Sequence, residues 1–407
     1  MRPPFQGGRE LPEPRAPSLR CRRNGAGAIS YFRSLSAAGF AATAISYGPA
    51  RMGFGLFVPE FRTAFSMSAP AIGLISGLGF AGYLLGLLAA EAMLVRRGPR
   101  APVVTGLLAA TVGMAIVAAA PTLPVLAAGV FLAASSAGFA WTPFNDAVHR
   151  KIGDGDRPAV LARVSTGTSL GIVGAGLASL GMAVTGLSWR ACWAFFAAAG
   201  AVALVISRIG LRDVGKAVPA QGQGNGWRDL LNVRAIPLFA IGFIFGVTTA
   251  IYIAFAADHL VATGGVPGVP AAATPALLFI FYGLFGLTGL FTGRVKAKAG
   301  LPALLRTLLL AGALSLVLVA VTRESWAGLV VSAGLQGVYV MMTSAVLALW
   351  SERLFPSLSA MGFTATLLAT AVGSVLGPAL AGVASEVMGA ATMFIGAAAL
   401  PAIAAAA

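Results

Sequence analysis

Residues 70–94 read PAIGLISGLGFAGYLLGLLAAEAML, and Val95-Arg96-Arg97-Gly98 then ends the run on two cations and a turn glycine. A bilayer core of about 30 Å is crossed by roughly 20 helical residues, and lipid offers no partner for unpaired backbone groups, so this stretch predicts a membrane-spanning helix. Working outward, comparable stretches recur at 36–58, 101–120, 124–147, 159–185, 189–209, 235–257, 272–293, 302–321, 326–350, 359–385 and 390–407. The expected fold class is therefore all-α integral membrane, with twelve transmembrane helices.

Composition agrees with that reading. Hydrophobic residues fill 58% of the chain and charged ones 10%, which excludes a soluble globule. The net charge of +15 does not point to nucleic acid, because the cations sit in the N-terminal segment and alternate loops. Of 28 Lys and Arg, only Arg62, Arg190 and Arg323 fall on the other side, and only Arg51 lies within a span. Lys and Arg are retained on the cytoplasmic side, so a multi-pass protein of the cell (inner) membrane with both termini cytoplasmic is expected.

Residues 1–33, rich in Pro, Gly and Arg, read as a disordered cytoplasmic tail or an overextended start. Span 12 stops at the last residue without a basic tail, so a truncated C-terminus is also open. Cys21 belongs to the tail and Cys192 opens a span on the outer side, so no disulfide is expected. Six spans precede and six follow the loop 210–234, whose Gln-Gly-Gln-Gly-Asn-Gly run from Gln221 reads as a flexible linker between bundles 34–209 and 235–407. A shift of 202 positions lays Arg96 on Lys298, Gly98 on Gly300, Arg150-Lys151 on Glu352-Arg353 and Gly171 on Gly373, the mark of a duplication.

In this arrangement the chain resembles the major facilitator superfamily, and its Arg-Met-Gly-Phe-Gly-Leu-Phe-Val-Pro stretch from Arg51 is similar to a poorly characterised bacterial branch with an arginine in the first helix. The superfamily's Gly-x-x-x-Asp-(Arg/Lys)-x-Gly loops are matched in part. Arg96 with Gly98, and Lys298 with Gly300, keep the cation and the glycine, while Val95 and Ala297 stand where the acid would be. Gly373-x-x-x-Gly377-Pro378 is similar to the superfamily's bend in span 11. The resemblance implies two six-helix bundles rocking about a central site lined by spans 1, 4, 7 and 10.

Arg51 is the sharpest polar feature. An arginine at mid-helix costs about 2.5 to 3.5 kcal/mol on insertion scales, so it faces a wet cavity or a partner, or else snorkels the roughly 12 Å towards Pro59. No Asp or Glu sits at mid-span to pair with it. A bound carboxylate or phosphate fits a guanidinium by two parallel hydrogen bonds, so an anionic solute is expected. Tyr47 lies one turn before Arg51; span 7 offers Thr248, Thr249 and Tyr252, and span 10 offers Gln336, Tyr339 and Thr343. These eight residues form the expected substrate site, although Thr can bond its own helix and Tyr can pack between helices. Trp141, Asn145 and Asp146 approach the inner mouth as gating candidates, and Glu91, Glu60 and Asp258 are further coupling candidates. Arg96, Gly98, Lys298 and Gly300 are the conformational loop positions.

Glycines at four-residue spacing, Gly73/Gly77, Gly82/Gly86, Gly167/Gly171 and Gly373/Gly377, predict close helix crossings. Gly77-Leu-Gly79-Phe-Ala-Gly82 is no dinucleotide site, since it lies inside a span, and Gly215-Lys216-Ala217 lacks the hydroxyl of a phosphate loop. No cofactor and no metal are expected. The reading is a secondary transporter for a small organic anion, acting as a monomer in membrane lipid, with protons as the candidate coupling ion and efflux of amphipathic compounds as the alternative. A membrane-embedded sensor or enzyme is disfavoured by the lack of convergent catalytic groups.

Overall fold

The computed structural model describes residues 19–212, 214–215, 235–322, 324–356 and 358–406. Residues 1–18 of the tail and most of the linker lie outside the described residues. Every regular element among the described residues is helical.

The first apolar stretch is divided where one continuous span was expected. Helix α1 covers Leu19–Tyr47, α2 Pro49–Leu56 and α3 Val58–Phe65. Pro49 has no N–H to give to the preceding turn and its ring crowds that turn, so the helix breaks at Gly48. Helix α1 begins inside the stretch read as a tail, since Leu, Arg and Ala favour helix beyond the apolar part.

Then follow α4 (Ala69–Arg97), α5 (Arg100–Ala119), α6 (Leu123–Ser135), α7 (Trp141–Lys151), α8 (Arg157–Thr185) and α9 (Trp189–Gly210). A 3₁₀ turn at Ser136–Phe139 joins α6 to α7. The second half holds α10 (Ile236–Ala262), α11 (Thr274–Gly286), α12 (Thr292–Ala299), α13 (Leu301–Val321), α14 (Trp326–Leu354), α15 (Ser359–Met388) and α16 (Ala390–Ala406). Ten helical segments among the described residues are long and apolar enough to cross a membrane. Of the twelve stretches expected, the first is interrupted, and the last is the 17-residue helix α16.

All four glycine pairs fall where helices cross. Gly73 and Gly77 face the carbonyls of Pro378 and Val375 on α15, and Gly82 and Gly86 those of Phe131 and Ser135. Gly167 and Gly171 face Phe40 and Ala44 on α1, and Gly373 and Gly377 face Phe243 and Val247 on α10. A Cβ at any of these eight positions would press on backbone, so small residues set the spacing. The repeat is also visible in the backbone: Gly98 (φ 77°, ψ 178°) and Gly300 (φ 78°, ψ 163°) share a conformation almost closed to other residues.

The most extensive crossings between the two halves of the chain are α4 with α15, α8 with α11, and α2 with α10. The α2–α10 contact is so tight that a Cβ at Gly55 would overlap the Ile253 carbonyl.

Candidate functional site

The helix crossings leave a cavity of about 250 Å³ in the half of the molecule that carries the basic loops. Its inner wall comes from Trp141, Ser344, Ala348, Phe363 and Leu367, and its deep end from Tyr47, Arg51, Thr249, Val340 and Ser374. At the opposite end the halves are shut by the Gly55–Ile253 crossing and by an ion pair from Arg62 to Asp258.

Arg51 stands on α2, just after the Gly48 break, and does not run outward to Pro59. Its guanidinium carbon lies 4.3 Å from the Tyr83 ring centroid, 5.3 Å from Phe80 and 5.6 Å from Tyr47. Cation–π attraction to three rings offsets part of the lost hydration, and Tyr47, one turn back on the same face, supplies one of them. Arg51 makes no ion pair with any described residue. Its Nε is buried and has no hydrogen-bond partner among them. On its other side a void of about 10 Å³, lined by Ser76, Gly79 and Phe80, is large enough for about one water.

Of the eight expected substrate residues, the structure brings Tyr47, Arg51 and Thr249 together on the cavity wall. Thr248 and Tyr339 are paired with each other instead, oxygen to oxygen at 3.1 Å, and the Tyr252 hydroxyl meets Ser332 Oγ at 3.2 Å. Gln336 and Thr343 are wholly buried, outside the wall, and their side-chain polar atoms have no partner among the described residues.

Trp141 does line the inner mouth. Asn145, half-buried on the same helix, does not. Asp146 pairs with Arg150 one turn on, at 2.7 Å, and lies near Glu91, which approaches Thr364 on α15. Asp258 is taken by Arg62. Glu60, beyond the end of the first span, is half-buried near Cys192, and desolvation pushes its carboxyl up to about 7. Arg96, Gly98, Lys298 and Gly300 stay at loop ends away from the cavity.

Residues the sequence reading missed include Ser165 and Thr168 on α8 and Thr366, Thr370 and Ser374 on α15. The 202-residue shift holds a signal for two of the wall's pairs: it superposes Tyr47 on Thr249 and Thr168 on Thr370.

A family model described as the Major Facilitator Superfamily matches residues 39–366. The chain belongs to the Major Facilitator Superfamily. It is a membrane transport protein of that family. A search of curated protein sequences gives no match. Among solved structures, the crystal structure of a point mutant of the nucleoside transporter NupG, with alanine in place of one aspartate, aligns with a TM-score of 0.72 at 14% identity, covering 92% of this chain and 98% of that one. The crystal structure of the nucleoside transporter NupG without that substitution aligns with a TM-score of 0.63 at 14% identity, over 92% of this chain and 97% of that one. At this identity the likeness concerns the superfamily fold.

Proposed function

We propose that the chain is a secondary active transporter that moves a small organic anion, a carboxylate above all, by alternating access between two six-helix bundles. The observation that carries this reading is Arg51: a cation on the cavity wall, without a carboxylate partner among the described residues and with an unpaired Nε. A guanidinium so placed lacks only a counter-ion, and a carboxylate supplies it through two parallel, charge-assisted bonds. Hydroxyls of Thr168, Thr249 and Ser344 on the same wall add neutral contacts.

The alternating-access frame draws on the 202-residue repeat and on the crossings between halves. With the basic loops cytoplasmic, the cavity belongs to an inward-facing state and the Arg62–Asp258 end is the closed outer gate. Proton coupling through Glu60, Glu91, Asp146 or Asp258 is part of the proposal, and an imposed pH gradient across reconstituted vesicles tests it.

Efflux of amphipathic compounds is the second reading, favoured by Met52, Phe245, Met341 and Phe363 on the wall. The cavity of about 250 Å³ lies below the roughly 300 to 1,000 Å³ of drug-sized sites, which ranks the small anion first. The deciding measurement is uptake and thermal stabilisation by carboxylates with Arg51→Lys and Arg51→Gln. Anion affinity that survives Arg51→Gln unchanged overturns the reading.

A further inference from the structure

One turn beyond the deep end of the cavity, the second half of the chain buries polar groups for which the fold supplies no partner among the described residues. Positions 332, 336 and 340 of α14 share one face. Ser332 meets the Tyr252 hydroxyl and Val340 belongs to the cavity wall, so Gln336 lies between them. Its exposure is 0%, and neither its amide nitrogen nor its oxygen has a partner among the described residues.

Tyr282 stands beside it. Its carbonyl is pressed by α14 at Gly337, the position after Gln336, and its ring lies 6.3 Å from that of Tyr252. The Tyr282 hydroxyl is also buried and unpartnered, and it is within electrostatic reach of Arg51. Thr249, one turn before Tyr252, carries a third unpartnered oxygen on the wall itself. Buried polar groups are almost always hydrogen-bonded, so Gln336 and Tyr282 on two touching helices behind the wall, and Thr249 on the wall itself, all left unpaired, point to a partner that comes from outside the fold.

We propose that Gln336, Tyr282 and Thr249 form a neutral hydrogen-bonding subsite that receives the far end of the solute whose carboxylate sits on Arg51. The substrate class is then a monoanion bearing a hydroxyl or carboxamide group. This inference rests on the anion reading above. The amide and the two hydroxyls both donate and accept, as a hydroxyl or carboxamide does in return, whereas a second carboxylate would need a cation and a methyl group would leave all three unpaired.

The test is binding to the full chain in detergent, read by thermal stabilisation, with the matched pairs 4-hydroxybutyrate against butyrate and gluconate against hexanoate. The hydroxylated member of each pair binds at least about tenfold more tightly in the unmodified protein, because a site built to bond a hydroxyl rejects the analogue lacking it. Gln336→Leu and Tyr282→Phe each bring that ratio below about threefold, while affinity for the deoxy member changes by less than about threefold. Tyr282→Phe removes a single oxygen and keeps the test valid if Gln336→Leu fails to fold.

A ratio near one in the unmodified protein, or a ratio that survives both substitutions, overturns the subsite. If those carboxylates still depend on Arg51, the anion reading stands without it. Equal binding of gluconate and neutral sorbitol, indifferent to Arg51→Gln, instead overturns the anion reading and the monoanion class with it.

Discussion

Arg62 and Asp258, 196 positions apart, hold each other at two points: Nε donates to Oδ1 at 2.9 Å and Nη2 to Oδ2 at 2.7 Å. Arg62 also donates to the Met67 carbonyl, so one side chain fixes the turn after α3 and the end of α10 together. The pair links the halves at the end of the molecule away from the cavity. With the Arg62 side chain 39% exposed, it is worth about 1 kcal/mol or less, enough to bias a balance between two states without locking it.

Breaking the pair is expected to open that end. Arg62→Ala and Asp258→Asn each raise the alkylation rate of Ile253→Cys, in a background lacking Cys21 and Cys192, by about threefold to fivefold, and the exchange Arg62→Asp with Asp258→Arg restores it. Equal rates in all four proteins would assign the pair no part in closure.

Tyr83 is expected to support Arg51 through its ring rather than its hydroxyl. Tyr83→Leu removes the nearest cation–π contact, about 1 kcal/mol, and weakens carboxylate binding about fivefold, while Tyr83→Phe leaves it within about twofold. Titration calorimetry on the purified protein distinguishes the two.

Glu60 predicts a slope of stability against pH. Burial raises its carboxyl from 4.5 to about 7, so the folded chain holds a proton that the unfolded chain has released. The cost is absent below about pH 4.5, grows as pH rises through that interval, and is constant above about pH 7, reaching up to about 3 kcal/mol. The thermal midpoint of the unmodified protein therefore falls from pH 5 to pH 8. Glu60→Gln flattens that decline and is the more stable protein at pH 8.

Gly171 and Gly181 lie on the same helix and differ only in what faces them. A Cβ at 171 would press into the Ala44 backbone, whereas at 181 nothing lies within 4 Å. Gly171→Ala is expected to cost about 1 to 3 kcal/mol by overpacking, and Gly181→Ala to change stability by less than about 0.5 kcal/mol. Thermal unfolding of both variants in one detergent measures the difference.

Most of the helical framework was legible because apolar length and cation placement are local properties. The glycine pairs were legible as crossings for the same reason, since four-residue spacing puts two small residues on one face. Partner choice was not local. Thr248, Tyr252 and Tyr339 have the chemistry of cavity residues, yet each is consumed by a side chain 80 or 91 positions away, which no spacing rule reveals. Thr168 and Thr370 went unnoticed although Ser165, Thr166, Thr168 and Ser169 cluster and Thr366, Thr370 and Ser374 recur every four residues, because hydroxyls that can bond their own helix do not say which face meets a cavity. The break at Gly48 could have been read from Pro49 alone, as a ring that excludes a backbone donor.

That break has a mechanical meaning. Pro49 leaves the Ile45 carbonyl without its usual helical donor, so the short rod that carries Arg51 is only weakly coupled to the long rod before it. At its far end the same rod is keyed to α10 through Gly55 and Ile253. The guanidinium thus rides on a rod pinned to the second half of the chain at one end and joined to α1 through one interrupted turn at the other.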